Sequence, residues 1–288
     1  MRLRFIVVIM SFFYNSLVFS QLANPTLGKL KIINNKLPAE IHETSGALWF
    51  NGQVWTFNDS GGEPCLYALD NQSQAVTRRV QINNALNVDW EDITQDSTFI
   101  YISDVGNNKG SRKTLCVYKV TKADILSGLD NVTAEKIEFS YNDRKWPQKA
   151  MGYSAYDCEA MICDRDSIFV FTKNWVLLQS DVYGFPVKPG FYNVNRISRI
   201  DAQGLVTGAC LSSNKKYIFT IGYADFMPFI LCLKNTSYEI ARRFDYPNFL
   251  GYQTEAITFV NNDSIIVTSE KSPVKPIAIF GAKVNWPK

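Results

Sequence analysis

The amino-acid sequence predicts an all-β protein, a five-bladed β-propeller with four strands in each blade. Two observations support this prediction. A short phrase recurs five times at the start of a strand-like run, and a second set of residues recurs at a nearly constant distance after it in the chain. Recurrence at roughly fifty residues is typical of repeat architectures in which each unit packs against its neighbours. The phrases are Ser45-Gly46-Ala47-Leu48, Glu91-Asp92-Ile93-Thr94, Glu159-Ala160-Met161-Ile162, Gly208-Ala209-Cys210-Leu211 and Glu255-Ala256-Ile257-Thr258.

The first unit shows the pattern of one blade. Residues 45–50 form a strand-like run, Asn51-Gly52 is the preferred two-residue hairpin turn, and residues 53–57 form the partner strand. Residues 65–69 and 76–82 are rich enough in β-formers to supply a third and a fourth strand.

The second unit repeats this scheme over a longer stretch. Its extra length lies mainly between Thr121 and Ala134, where the composition indicates a loop and an insertion. The fifth unit has only three strands before the chain ends, at residues 256–260, 264–269 and 277–284. Strands of the second unit are expected at residues 93–94, 99–103, 115–120 and 136–141.

A strand at Leu30 to Asn34 precedes the first unit and is free to pair with the incomplete last blade. That pairing would close the ring and remove an exposed sheet edge. A six-bladed propeller is the alternative, because the interval between Glu91 and Glu159 is longer than the others. The segment from Thr121 to Tyr156 is polar, however, and shows no second set of strands.

Residues 1–20 have the pattern of a secretory signal peptide. Basic residues precede an apolar run over residues 5–13, and residues 18–20 suit cleavage before Gln21. We therefore expect a single propeller domain over 21–288 that is secreted or periplasmic, without stable membrane insertion after cleavage. A retained anchor helix is the alternative, although the apolar run is short for one.

Charge and cysteine content limit the function classes. The net charge of the full chain is +3, and two of its arginines lie in the signal, so the near-neutral remainder predicts no nucleic-acid partner. The six cysteines fall mostly inside apolar runs, which favours small core residues over disulfides and leaves their pairing open. A single histidine, His42, provides neither a His-rich metal site nor an obvious catalytic triad.

The second recurring set of residues lies 13 to 15 residues after the start of each phrase, at the ends of the second strands. Because second strands run antiparallel to first strands, both sets should lie on one face of the disc, around the axial channel. We predict an inner ring of Ser45, Glu91, Glu159, Thr207 and Glu255, with Asp89 close by. The predicted outer ring is Asp59, Asp104, Lys173, Tyr223, Glu270 and Lys271.

Carboxylates that converge on a narrow axis repel one another unless a cation or hydrogen-bond donors compensate. Calcium takes six to eight oxygen ligands with flexible geometry, whereas zinc prefers His or Cys. The sequence therefore predicts Ca²⁺ as a cofactor. The alternative is structural, with the glutamates accepting backbone N–H bonds or holding water. The predicted metal ligands are Ser45, Glu91, Glu159, Thr207, Glu255 and Asp89.

These phrases resemble those of the SdiA-regulated family of exported bacterial five-bladed propellers and, more distantly, the calcium-activated nucleotidase (apyrase) family. Glu43-Thr44-Ser45 with Phe50-Asn51-Gly52 is similar to the first-blade phrase of apyrases, and Asn58-Asp59-Ser60-Gly61 to their Asp-Asp-Arg-Thr-Gly. The resemblance covers the chain from about residue 30 onward. It implies an axial calcium held by serines and glutamates, but the apyrase-type arginines are absent, with Ser60 and Lys173 in those neighbourhoods.

Two functional hypotheses are compatible with this interpretation of the sequence. The first is a non-catalytic, calcium-binding propeller that binds a small molecule or a protein in the funnel over its channel. The alternative is a calcium-dependent hydrolase of phosphoester or phosphoanhydride substrates, apyrase-like or phytase-like. Its candidate catalytic residues are Asp59, Asp104 and Glu270 as the base, with Lys173 and Lys271 neutralising charge.

Overall fold

The computed structural model describes residues 24–144, 149–150 and 152–287, and within them it confirms the five-bladed β-propeller. Five sheets of mainly antiparallel strands surround one axis. The predicted signal peptide at 1–20 and the cleavage point before Gln21 lie outside the described residues.

The first two blades each have four antiparallel strands and a fifth short strand added in parallel at the outer edge. Blade 1, from the axis outward, consists of Thr44–Phe50, Gln53–Asn58, Cys65–Leu69, Val76–Ile82 and the added Asn131–Val132. Blade 2 consists of Trp90–Gln95, Phe99–Asp104, Leu115–Thr121, Glu135–Tyr141 and the added Gly190–Val194.

The next two blades have four antiparallel strands each. Blade 3 consists of Cys158–Asp164, Ser167–Thr172, Ser180–Pro186 and Arg196–Ile200. Blade 4 consists of Leu205–Leu211, Tyr217–Ala224, Met227–Lys234 and Ile240–Asp245.

Blade 5 is completed by the N-terminal segment, as the sequence predicted. Its own strands are Gln253–Asn261, Ser264–Glu270 and Ala278–Asn285. The short strands Thr26–Leu27 and Lys31–Asn34 both pair antiparallel with the last of these. The chain therefore closes its ring by joining its two ends within one blade, which covers the edge that blade 5 would otherwise expose.

The insertion in blade 2 contains structure that the sequence analysis described only as a loop. A short helix spans Lys122–Leu126, and the hydroxyl of Thr121 caps it by accepting a hydrogen bond from the backbone N–H of Asp124.

A two-stranded hairpin, Lys149–Ala150 with Tyr153–Ser154, precedes blade 3. One turn of 3-10 helix, Pro247–Phe249, precedes blade 5.

The apolar core is divided into five clusters, one at each interface between neighbouring blades. Trp55 and Trp90, for example, lie in the cluster between blades 1 and 2, where both are at most 2% exposed. Burial of one large apolar side chain contributes about 1.5–3 kcal/mol, so each blade is stabilised mainly by its two neighbours. All six cysteines are unpaired, in agreement with their expected role as small core residues.

Candidate metal centre

Each first strand carries a β-bulge at the place where the recurring phrase begins. The register between first and second strands shifts between Cys158 and Ala160 in blade 3, for instance, so Glu159 is left without a partner. A bulge turns the extra residue out of the ladder and re-aims its side chain. The bulged positions are Ser45, Glu91, Glu159, Thr207 and Glu255, which is the predicted inner ring.

In blade 4 the bulged residue is Thr207, and the glycine that follows it has a separate role. A Cβ on Gly208 would collide with the backbone carbonyl of Glu255, so the glycine allows the first strands of blades 4 and 5 to approach closely. The Thr207 hydroxyl uses this proximity and donates to the carbonyl of Thr254 at 2.6 Å. Ser45 likewise donates to the carbonyl of Glu91 at 2.9 Å, so both ring hydroxyls link neighbouring blades.

A carboxylate that the sequence analysis missed lies on the axis. Asp92, the second residue of its phrase, is fully buried and accepts hydrogen bonds from the backbone N–H groups of Ile93, Met161 and Ala209, at 2.8 to 3.1 Å. These donors belong to blades 2, 3 and 4. Burial raises the pKa of Asp92 well above its usual range, although the three donors oppose that shift.

Three carboxylates converge on the funnel side of the channel. Asp59, Asp89 and Glu91 each present an oxygen within 4.8 Å of the other two. Gly106 lies directly against this group, because a Cβ at that position would collide with the carboxylates of Glu91 and Asp89. The structure thus brings together two predicted metal ligands and one residue, Asp59, that was predicted for the outer ring and as a catalytic candidate.

A second pair of carboxylates, those of Asp157 and Glu159, lies beside the first group. Lys173 is buried, and its ammonium group contacts the carboxylate of Glu159 at 3.1 Å. Asp157, a further residue that sequence analysis missed, accepts hydrogen bonds from the backbone of Asn107 and the indole of Trp175, both at 2.8 Å. The repeated spacing Asp-x-Glu, at residues 89–91 and 157–159, was the signal that could have identified it.

Seven carboxylates interact electrostatically in this region, which we call the acidic funnel. Burial raises the pKa of both Asp59 and Asp89 to about 6, and the repulsion of neighbouring carboxylates adds to each shift. Burial, followed by the charge of Glu159, raises the pKa of Glu91 well above its usual range. The residues of the acidic funnel are Asp59, Asp89, Glu91, Asp157, Glu159, Glu255 and Glu270.

The two carboxylates that blade 5 contributes to the acidic funnel also have raised pKa values. Burial raises the pKa of Glu255 to about 8 and that of Glu270 to about 7, with Lys173 opposing both shifts. Glu270 accepts a hydrogen bond from the side chain of Gln253 at 2.6 Å. Such groups hold their protons near neutral pH unless a cation favours the charged forms.

The remaining candidates lie at the edge of this region. Asp104 forms an ion pair with Arg112 at 2.8 Å. It also accepts a hydrogen bond from the backbone N–H of Asp89, so it helps to position that residue of the acidic funnel. Lys271 is exposed. Tyr223 is buried and its ring lies 5.5 Å from the Lys173 ammonium group.

The donor set suits a hard cation. Within the described residues, the carboxylate of Glu91 has one hydrogen-bond donor, the hydroxyl of Ser45 at a long 3.4 Å. Lys173 is already engaged by Glu159. A cation would stabilise the ionised forms of these carboxylates, and an all-oxygen set of ligands is the kind that calcium takes, whereas zinc prefers His or Cys.

No family model matches the chain, and no curated protein does. Glutaminyl cyclase of Myxococcus xanthus is similar in structure, with a TM-score of 0.51 and 10% identity over 90% of this chain and 97% of that one. A glucose dehydrogenase gives a TM-score of 0.53 and 7% identity over 88% of this chain and 99% of that one.

The chain shares the β-propeller fold of these proteins. It spans 59% of the matched chain of Kuenenia stuttgartiensis hydrazine synthase, at 11% identity and a TM-score of 0.44. At identities this low, similarity establishes the fold, and function has to be argued from the site itself. In the part of the chain that the structure describes, no helix has the length and apolar character needed to span a membrane.

Proposed function

We propose that this protein is an exported calcium-binding propeller of the SdiA-regulated type, which binds a ligand or a partner protein at the funnel over its channel. The proposal for export depends on the signal-like pattern of residues 1–20. The proposal for calcium depends on the acidic funnel, and the proposal for binding depends on the position of that funnel at the mouth of a propeller, where ligands commonly bind.

The proposal of a metal site depends mainly on the convergence of Asp59, Asp89 and Glu91. These residues would hold the ion, and the hydroxyl of Ser45, which lies 3.4 Å from the Glu91 carboxylate, is close enough to contribute. Water would complete the six to eight oxygen ligands that calcium takes. Glu159 belongs to a different contact, because its carboxylate neutralises Lys173.

A binding role is favoured over the alternative of a phosphohydrolase. Catalysis on a phosphoryl group needs cationic side chains that are free to meet the developing negative charge. The two cations nearest the carboxylates are both engaged, Lys173 with Glu159 and Arg112 with Asp104. The one observation in favour of the hydrolase is that Lys173 points into the funnel beside the carboxylates.

Thermal unfolding with and without calcium tests the metal proposal. We expect millimolar calcium to raise the melting temperature of the protein above its value in EDTA, because a ligand that binds only the folded state stabilises it by mass action. The Glu91→Gln variant should lose most of this rise, since the amide removes a negative charge from the group of three carboxylates.

The control is Asp181→Asn, which changes a buried carboxylate that pairs with Arg199 in blade 3 and is not one of the seven carboxylates of the acidic funnel. This variant should unfold at a lower temperature and still respond fully to calcium. Absence of a calcium-dependent rise in the unmodified protein would refute the metal proposal, as would an equal rise in the Glu91→Gln variant.

A further inference from the structure

A groove crosses blade 5 at the end of the propeller opposite the acidic funnel. Val260 and Ser264 line it, and they flank a hairpin at the other end of the strands from Glu255 and Glu270. The groove has a volume of about 430 Å³, which is within the range of small-molecule sites. Neighbouring strands lie about 4.8 Å apart, so a groove across four of them is about 14 Å long. From the axis outward these strands are Gln253–Asn261, Ser264–Glu270, Ala278–Asn285 and Lys31–Asn34.

The inner part of this groove is apolar and concave. Val260 lines its axial end, and Ile266 forms part of its floor, where it is only 6% exposed. The next strand contributes Gly281, whose Cα pairs with that of Ile266 and which has no side chain to fill the space. The floor therefore lies below the surrounding surface, where an apolar group would lose most of its contact with water.

Ile33 forms the outer apolar wall of the groove. A Cβ added to Gly281 would lie 2.7 Å from the Cδ1 atom of Ile33, so this side chain lies directly over the glycine. The register between the N-terminal strand and blade 5 shifts between Ile32 and Asn34, which leaves Ile33 as the bulged residue. Its side chain is 56% exposed, and a ligand in the groove would cover it.

The outer end of the groove is basic. Lys29, Lys31 and Lys283 line it, and all three are exposed. Among the residues that the structure describes, no carboxylate forms an ion pair with any of them, and Lys283 donates instead to the hydroxyl of Ser264 at 2.8 Å. The segment 24–39 contains no aspartate or glutamate. These ammonium groups are therefore free to meet an anion.

We propose that this groove binds a free fatty acid in its carboxylate form. The alkyl chain would lie over Gly281 and Ile266 toward Val260, and the carboxylate would remain at the outer end among the three lysines. Charge complementarity selects the anionic head group, and the recessed apolar floor selects a single chain, because the flat surface of a bilayer would not reach Ile266. The groove is separate from the acidic funnel, so the inference goes beyond the proposed calcium-binding role.

The probe is laurate, titrated into the protein by calorimetry at pH 8, in EDTA and below the concentration at which laurate forms micelles. EDTA prevents calcium from precipitating laurate and makes the result independent of the metal proposal. We expect laurate to bind about tenfold more tightly than decanoate, which has two fewer methylene groups to bury. Dodecyltrimethylammonium, with a chain of the same length and the opposite charge, should bind at least about tenfold more weakly than laurate.

Two variants of neighbouring residues locate the alkyl chain. Ile33→Asn should bind laurate at least about fivefold more weakly, because it removes the outer apolar wall. The control is Ile32→Asn, since Ile32 is 43% exposed on the same strand but does not line the groove. This control should bind laurate as the unmodified protein does. Both changes are at exposed positions, so both variants should melt close to the unmodified protein.

A second pair of variants locates the carboxylate. Lys31→Gln should bind laurate about two- to fivefold more weakly, and the difference should shrink as salt is added. The control is Lys36→Gln, which removes the same charge from an exposed position of the same segment outside the groove. Its affinity for laurate should be unchanged.

The inference is overturned if laurate fails to bind, if dodecyltrimethylammonium binds as tightly, or if the two members of either variant pair behave alike. Light scattering and cosedimentation with phosphatidylglycerol vesicles test two other occupants. A dimer that laurate does not dissociate, or binding to vesicles without binding of free laurate, would assign the groove to a second copy or to a membrane and would also overturn the inference.

Discussion

Asp92 shows how much a single carboxylate can contribute at the axis of a propeller. Its two oxygens accept three backbone N–H groups from blades 2, 3 and 4, and no solvent reaches it. These hydrogen bonds join elements that are distant in sequence, and each would leave a buried donor without a partner if the carboxyl group were lost. The residue therefore fixes the relative positions of three first strands, and it does so next to Glu91 of the acidic funnel in the chain.

We expect Asp92→Asn to lower the free energy of unfolding by roughly 3 kcal/mol, because an amide group would face backbone donors with a donor of its own. Urea denaturation measures this change. The control is Asp70→Asn, which changes an exposed carboxylate that also accepts backbone N–H groups, from Gln72 and Ser73 in a turn. If the two variants unfolded at the same urea concentration, Asp92 would have no special role.

At the residue scale, periodicity predicted the inner ring but gave no information on how its members are used. It placed Glu91 and Glu159 in equivalent positions, and the bulges confirm that equivalence. The structure nevertheless separates them, because Glu159 pairs with Lys173 while Glu91 joins Asp59 and Asp89. Such differences depend on which side chains meet across the axis, and a repeat pattern within one chain does not contain that information.

At the scale of single elements, turn chemistry and β-propensity were sufficient for most strands. The turn at Asn51-Gly52 has positive φ at both residues, as that dipeptide predicts. The two added strands, Asn131–Val132 and Gly190–Val194, were not predicted. They are short, exposed in part, and defined by pairing with a neighbouring segment, so their own sequences carry little signal.

The N-terminal strands offer a test of ring closure. They pair with Ala278–Asn285, and the backbone N–H of Gly28 also donates to Lys283 at 2.7 Å. A protein that begins at Leu37 should melt roughly 5–10 °C lower than one that begins at Asn24, and it should aggregate more readily because the edge of blade 5 is uncovered. Differential scanning calorimetry and light scattering measure the two effects. Equal melting temperatures would mean that closure contributes little to stability.

At the scale of the whole molecule, the acidic funnel links stability to pH. Its carboxylates have raised pKa values in the folded protein, about 6 for Asp59 and Asp89, about 7 for Glu270 and about 8 for Glu255. The ordinary values are 3.8 for Asp and 4.5 for Glu. Between the ordinary and the raised values, the folded state binds more protons than the unfolded state, so stability must fall as pH rises through this window.

In EDTA, we therefore expect the melting temperature to decrease from about pH 5 to about pH 8. One unit of pKa shift corresponds to about 1.4 kcal/mol, and 1 kcal/mol to about 2–4 °C for a domain of this size, so each pH unit over which one of these carboxylates is protonated only in the folded protein should lower the melting temperature by roughly 3–5 °C. Most proteins show the opposite trend over the acidic part of this range, because their paired carboxylates have lowered pKa values.

Calcium should reverse this behaviour, because a bound cation favours the ionised forms and binding must release protons from the funnel. The calcium-dependent rise in melting temperature should accordingly be larger at pH 8 than at pH 5, and the Asp181→Asn control should reproduce the trend. Melting curves at four pH values, in EDTA and in millimolar calcium, measure both effects at once. A melting temperature in EDTA that stays constant or rises with pH would show that the funnel carboxylates are compensated in some other way.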